Sequence, residues 1–224
     1  MTAIFITATG TDVGKTFVCV SLIRHLREMG RIVDAIKPVV SGFDPDRPEA
    51  SDPGILLRAL DLPLTPQEIE RTSPWRFRAA MSPDLAAQRE GRRVDVDAVI
   101  SFCQDAIARR QDILLIEGIG GIMVPLDDSH TVLDWITALR IPTLLVAGSY
   151  LGTISHTLTA VAALRQRGLV PEAIVVSETD GSPVPLEDTA ASIARFADAA
   201  SVIPLPLLAP GTDDPAYGRI ADLL

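Results

Sequence analysis

The residues whose types and spacing could do chemistry cluster first at Ala8-Thr9-Gly10-Thr11-Asp12-Val13-Gly14-Lys15-Thr16. An apolar run precedes this stretch and an amphipathic helical pattern follows it. A phosphate-binding loop needs that context. Backbone N–H groups at a helix start face bound phosphate, and the helix dipole favours its negative charge. Lys15 can reach the β- and γ-phosphates, and the Thr16 hydroxyl can take a Mg²⁺ coordination position. The general phosphate-loop pattern places glycine where Thr9 stands, while Gly10 and Gly14 still loosen the backbone. The bland alternative is a strand–turn–helix that happens to contain Gly-Lys-Thr.

Further groups gain meaning beside that loop. Glu117 ends the apolar run Asp112–Ile116 and is followed by Gly118-Ile119-Gly120-Gly121. A carboxylate at a strand's carboxyl end is well placed for a metal, and the glycines point to close approach of backbone to a ligand. Lys37-Pro38 ends a second run, with Ser41-Gly42 shortly after. Alone, Lys37 reads as a solvated strand-end lysine; beside Lys15 and Glu117 it is a candidate second cation over phosphates. Asp52 sits in a polar loop, where a lone Asp usually serves as a turn or helix cap.

The elements that must position these groups can be read from hydropathy. Candidate strands are Ala3–Thr7, Ile32–Ile36, Asp112–Ile116, Thr143–Ala147, Ala173–Val176 and Ser201–Ile203. They are continuous aliphatic runs, as expected for strands buried on both faces of a parallel sheet. Between them lie helical stripes such as Val18, Leu22, Ile23, Leu26 and Leu158, Val161, Ala162, Leu164, with Gly30 and Gly168 as stops. The alternation predicts an α/β fold: a doubly wound, mainly parallel sheet flanked by helices, with ligands at the strands' carboxyl ends. The stretch Ser41–Met81 reads as short helices and loops over those ends, and Ser82-Pro83-Asp84 as a helix start. No repeat or linker is visible, so one domain over 1–224 is the simplest count.

Composition bounds the function. The 224 residues suffice for one α/β domain with a buried core. A net charge of −9 argues against a general nucleic-acid or anionic-membrane binder. Cys19 and Cys103 lie far apart and read as reduced, buried thiols. The N-terminal run carries no signal-peptide pattern and no apolar run reaches bilayer length, so a cytoplasmic protein is expected. His25, His130 and His156 form no metal-like spacing, and no nucleophile–His pair is evident.

Taken together the motifs resemble the ATP-dependent dethiobiotin synthetases, a P-loop family, along nearly the whole chain. The matching pieces, in family order, are Thr11-Asp12-Val13-Gly14-Lys15-Thr16; Lys37-Pro38-Val39-Val40-Ser41-Gly42; Ser51-Asp52; Met81-Ser82-Pro83; Glu117-Gly118-Ile119-Gly120-Gly121; Pro125-Leu126; Asp134-Trp135; and Leu151-Gly152-Thr153-Ile154-Ser155-His156. The resemblance implies ATP as co-substrate and Mg²⁺ held by Thr16, Asp52 and Glu117. Lys15, Lys37 and Thr11 would act around the transferred phosphoryl group. Nucleotide contacts would come from Asp12, Val13, Gly14, Phe17, Gly118, Ile119, Gly120, Ser177, Pro204 and Leu205. Ser41 and Ser82 would contact the substrate. Leu151, Gly152, Thr153 and Ser155, at a helix N-terminus in a homodimer interface, would hold the carboxylate of a diamine bound mainly by the other subunit. The implied reaction joins 7,8-diaminopelargonate and CO₂ (or bicarbonate) into a cyclic urea.

The chain also departs from that family. Ala8 replaces the loop's first glycine, and Asp12 the usual glutamate. Ser177-Glu178 stands where many members carry Asn-Asp, and a serine hydroxyl cannot make the paired donor–acceptor contact an amide offers adenine. Ile203-Pro204-Leu205-Pro206 is only loosely similar, so use of other nucleoside triphosphates is expected. Rival readings are a cobyric acid synthetase-like amide synthase, a partition or septum-type switch ATPase, and a paralogue that binds nucleotide without turnover. The first usually carries a glutaminase domain for which this chain has no room. The second carries an extra lysine early in the loop and a basic or amphipathic tail; Ala8–Asp12 holds no lysine, and Gly218–Leu224 carries one Arg and one Asp.

Overall fold

The computed structural model describes residues 2–197, 201–208, 212 and 214–223. Strands β1 (Thr2–Ala8), β2 (Val33–Ile36), β5 (Ile113–Glu117), β6 (Thr143–Gly148), β7 (Ala173–Ser177) and β8 (Ser201–Leu205) form a parallel sheet in the order β2-β5-β1-β6-β7-β8. Every expected strand is present, with ends moved by a residue or two. β1 and β5 lie side by side, with Ile6 opposite Glu117. The phosphate loop and Glu117 therefore emerge from neighbouring strands at one sheet edge.

Successive residues of each strand point to opposite faces, and helices cover both. Phe5, Leu114, Ile116, Leu145, Ile174 and Val176 belong to one buried cluster, closed by α5 (Val96–Arg109), α6 (Val132–Leu139), α7 (Thr153–Gln166) and α8 (Leu186–Phe196). Ile4, Ile6, Ala8, Leu115, Leu144, Val146 and Val175 belong to the other, beneath α1 (Lys15–Glu28), α2 (Asp52–Ala59) and α9 (Pro215–Ala221). Burial on both sides explains why the strands read as unbroken aliphatic runs. Gly30 and Gly168 take positive φ just past α1 and α7. The crossed N–H bonds Arg31→Leu26 O at 3.0 Å and Gly30→Arg27 O at 2.9 Å close α1 in a Schellman turn.

The stretch Ser41–Met81 corrects the sequence reading. It contains α2 and α3 (Pro66–Thr72), but also a two-stranded parallel sheet of β3 (Val39–Ser41) and β4 (Trp75–Phe77). Strands of three residues carry too short a pattern to read, and their pairing bridges 36 positions from Val39 to Trp75. This small sheet leads into α4 (Pro83–Arg89). Ser82 stands at the N-cap position of α4, with Pro83 and the acidic Asp84 in the first turn as expected, but its side chain makes no capping bond.

Trp135 on α6 is fully buried and meets the Phe5 ring edge-on, centroids 4.8 Å apart. This contact seats α6 on the central strand. Trp135→Ala should cost about 3–5 kcal/mol of unfolding free energy in urea titrations followed by circular dichroism.

Candidate functional site

The turn from β1 into α1 is built for an anion. Gly14, the N-cap residue of α1, has φ +89°, a left-handed conformation suited to glycine. Asp12 also has positive φ, 56°, which Asp tolerates better than most residues. No side chain caps α1 and its first turn holds no acidic residue, so its opening N–H groups are left for an acceptor. Ala8 proves to be the last residue of β1, with its side chain in the core beneath α1 and its backbone in register with Val146. The replaced glycine thus falls on a strand position where a methyl group packs well.

Behind that turn lies a cluster of charges. Thr16 Oγ1 donates to Glu117 Oε1 at 2.6 Å and lies 3.2 Å from Asp52 Oδ1. Lys37 Nζ donates to Glu117 Oε1 at 2.7 Å and forms a close ion pair with Asp52 Oδ2. Glu117 is fully buried, Lys37 is 4% exposed and Lys15 is 7% exposed. Burial works against the Lys37 ammonium, but Glu117 and Asp52 outweigh it and hold its pKa above the ordinary lysine value. Burial also favours neutral Asp52, yet Lys37, Thr16 and Lys15 keep that carboxyl below its usual range. Lys15 goes the other way: burial, then repulsion from Lys37, lower its pKa.

Glu117 Oε2 is buried with no protein hydrogen-bond partner. Among the described residues no group of three or more His, Cys, Asp or Glu forms a metal cluster. What stands here is two carboxylates and a hydroxyl, with one carboxylate oxygen unmatched. Such hard oxygen donors fit Mg²⁺, which takes one or two carboxylates and leaves its other positions to water and phosphate.

Four elements hold the cluster, Thr16 coming from the first turn of α1. Glu117 is the last residue of β5 and Lys37 directly follows β2, the strand beside it. Asp52 opens α2, where Ser51 caps the helix through Gly54 N–H and Pro53 fills the first turn. An added Cβ on Gly54 would lie 2.1 Å from Pro48 O, so this helix start packs against the preceding turn as only glycine permits.

A cleft of about 840 Å³ opens over these groups. Of the expected residues it brings together Thr11, Asp12, Gly14, Lys15, Thr16, Phe17, Lys37, Ser41, Asp52, Ser82, Ile119 and Gly120. Val13 and Leu205 are instead core side chains, and the Leu205 carbonyl accepts from Glu178 N–H at 2.8 Å. Ser177 and Leu205 face each other across β7 and β8 beyond the loop, and a Cβ on Gly14 would lie 2.7 Å from Ser177 Oγ. Pro204 pairs with Val176 on the same strands. Leu151, Gly152, Thr153 and Ser155 do not line this chain's cleft; they form the turn into α7, with Leu151 80% exposed. Thr153 is turned inward, its hydroxyl donating to Gly148 O at 2.6 Å. Sequence reasoning missed Ala80 and Val124 as lining residues, and passed over Met81 and Pro83 although it had singled out their motif. Small apolar residues carry no chemical signal; only the fold brings them to a cleft.

The glycine segment after Glu117 is pinned to the phosphate loop. Gly118 N–H donates to Ile6 O at 2.9 Å, and Ile122 N–H to Ala8 O at 3.1 Å. A Cβ on Gly121 would sit 2.9 Å from Thr9 O, a backbone atom that cannot yield cheaply. Gly121→Ala should therefore push the two loops apart. We expect a loss of ~1–3 kcal/mol in urea unfolding and roughly tenfold weaker binding of a nucleoside triphosphate by calorimetric titration.

Comparison with known proteins bears on the family and the fold. The profile of a family described as "AAA domain" matches residues 2–210. The ATP-dependent dethiobiotin synthetase BioD of Acidiphilium cryptum (strain JF-5) is 50% identical, covering 87% of this chain and 88% of that protein. The protein of the same name from Caulobacter sp. (strain K31) is 48% identical over 100% of this chain and 94% of its own length. Among solved structures, the signal recognition particle 54 kDa protein from Aeropyrum pernix K1 in complex with GDP aligns with TM-score 0.56 at 14% identity, covering 99% of this chain and 46% of that one. The MinC:MinD cell division protein complex of Aquifex aeolicus gives 0.53 at 14% identity, covering 100% and 85%. At such identity the structures speak for the fold alone, a parallel sheet flanked by helices, whereas the sequence relatives decide the family. The chain belongs to the ATP-dependent dethiobiotin synthetase family.

Proposed function

We propose that this protein is a dethiobiotin synthetase, a carbon–nitrogen cyclo-ligase of biotin biosynthesis. It closes the ureido ring on 7,8-diaminopelargonate with CO₂ and a nucleoside triphosphate. One observation carries the assignment of roles: Thr16, Lys37, Asp52 and Glu117 converge on one point under the phosphate loop. The sequence relatives carry the assignment of substrate.

One amine of the diamine adds to the carbon of CO₂ and loses a proton, giving a carbamate. A carbamate oxygen attacks the γ-phosphorus; the bond to the β-phosphate oxygen breaks and the nucleoside diphosphate leaves. The neighbouring amine then attacks the carbamoyl carbon, the carbon–oxygen bond to phosphate breaks, and inorganic phosphate departs with a proton lost from nitrogen. Negative charge gathers around phosphorus at each stage, so positioned cations and dipoles supply the catalysis. The loop N–H groups and Lys15 hold the phosphates, while Lys37 and Thr11 face the transferred group. Mg²⁺ bound by Thr16, Asp52 and Glu117 would supply further charge neutralisation at the phosphate oxygens. Ser41 and Ser82 contact the diamine. Asp12, Phe17, Gly118, Ile119 and Gly120 flank the nucleotide, with Ser177, Pro204 and Leu205 toward the base. The protein acts in the cytoplasm as a homodimer, in which Leu151–Ser155 of one subunit receives the carboxylate of the diamine in the other. No described helix is long and apolar enough to cross a membrane.

Incubation with 7,8-diaminopelargonate, bicarbonate, Mg²⁺ and ATP, CTP or GTP, followed by mass detection of the cyclised product, tests the activity. Product should form, and phosphate release should require the diamine; release that ignores the diamine would belong to a switch ATPase. With Ser177 in place of an amide, the kcat/KM preference for ATP should stay below ~100-fold, worth ~2.7 kcal/mol. Lys37→Ala should abolish turnover while circular dichroism shows a folded protein, weakened by about 3 kcal/mol through its unpaired carboxylates. Near-normal rates in that variant would refute the role given to Lys37.

A further inference from the structure

The turn that launches α7 is fastened to the neighbouring loop by bonds the reaction above does not use. β6 ends at Gly148 and β7 at Ser177, opposite each other in the sheet. Beyond those ends a parallel sheet offers no further ladder, yet the two loops remain joined. Ser149 N–H donates to Thr179 Oγ1 at 3.0 Å, and Thr179 N–H donates back to Ser149 Oγ at 2.9 Å. The Ser182 hydroxyl donates to Ser149 O at 2.7 Å. The N–H, the hydroxyl and the carbonyl of Ser149 are thus all engaged by the loop after β7, and Ser149 is 1% exposed. Gly148 makes room for this, since a Cβ there would lie 2.8 Å from Thr179 Oγ1.

The bracket sits three residues before Gly152, the N-cap of α7, whose φ is +100°. Thr153 adds an inward tie to Gly148 O, and the Tyr150 hydroxyl lies 2.8 Å from His156 Nδ1 on the outer side. The direction of the first N–H groups of α7 is therefore set by Ser149 and by the loop that holds it. That loop begins at Ser177, which packs against Gly14 of the phosphate loop. Reciprocal hydrogen bonds to a buried residue such as Ser149 hold one geometry, because breaking one strands its partner.

We infer that Ser149, Thr179 and Ser182 are positioning residues that aim the N-terminus of α7 at the substrate carboxylate, without touching the diamine or the nucleotide. The inference rests on the proposed role of Leu151–Ser155. An aligned helix N-terminus favours a carboxylate only while its N–H groups point at it. A loosened bracket should weaken uniform binding of the diamine and spare the chemical step.

Steady-state kinetics of the full-length enzyme test this. Thr179→Val should raise KM for 7,8-diaminopelargonate about tenfold, the scale of one or two lost hydrogen bonds, with kcat and the nucleotide KM within about twofold. Thr179→Ser, which keeps the hydroxyl, should restore the wild-type KM. Ser149→Ala and Ser182→Ala should shift it the same way by smaller factors, and they serve if Thr179→Val fails to fold. The methyl ester of the diamine, which lacks the charge, should bind poorly to wild type and no worse to the variant. Unchanged diamine KM in Thr179→Val and Ser149→Ala, or a joint fall of kcat and both affinities that Thr179→Ser does not rescue, would overturn the inference. Should wild type treat acid and ester alike, the assignment of Leu151–Ser155 itself fails, and that result appears before any variant is made.

Discussion

A fully buried carboxylate at the end of a central strand is the constraint around which this site is arranged. Removing a carboxylate from water costs roughly several kcal/mol unless charge and hydrogen bonds answer it. Glu117 is answered by Lys37 from the adjoining strand and by the Thr16 hydroxyl from the first turn of α1. Lys37 in turn is tied to Asp52 at the start of α2. The phosphate loop, the strand ends and the first helix after the loop are thus bound together by one electrostatic knot. Its components lie in four separate parts of the chain, and none would keep its position without the others.

The knot also explains why the local backbone is so short of side chains. Lys15, Lys37 and the N–H groups of the loop can serve phosphate only if backbone comes close from several sides. Gly14 supplies the left-handed turn into α1, and Gly121 lets the segment after Glu117 rest against Thr9. On the far side, Ser177 lies against Gly14 and begins the loop that holds the turn into α7. The phosphate loop and the turn into α7 are therefore linked through one packing contact and a set of partly buried hydrogen bonds.

The family relationship and the geometry carry different parts of the conclusion. Relatives at about half identity over nearly the whole chain name the chemistry. The solved structures at 14% identity share only the parallel sheet and its flanking helices. A fold of this type hosts many activities. What narrows them here is the set of charged groups beneath the phosphate loop, Lys37, Asp52 and Glu117 gathered around the Thr16 hydroxyl.

The sequence by itself determined the strands, their parallel arrangement and the phosphate loop. Those features rest on local patterns: aliphatic runs buried on both faces, and a Gly-Lys-Thr turn between a strand and a helix. It also nominated Lys37, Asp52 and Glu117, though residue types alone left Asp52 readable as an ordinary cap. Only the tertiary structure decided that these three meet, because 36 positions separate Thr16 from Asp52 and 80 separate Lys37 from Glu117. It alone revealed the β3–β4 pair, whose strands are too short to carry a pattern. The same holds for Ala80 and Val124 in the cleft wall and for the Ser149–Thr179 bracket. Small or hydroxylated side chains have no spacing rule that announces their partners. Their contacts depend on which strand ends the sheet order brings side by side, and that order is set by packing across the whole domain.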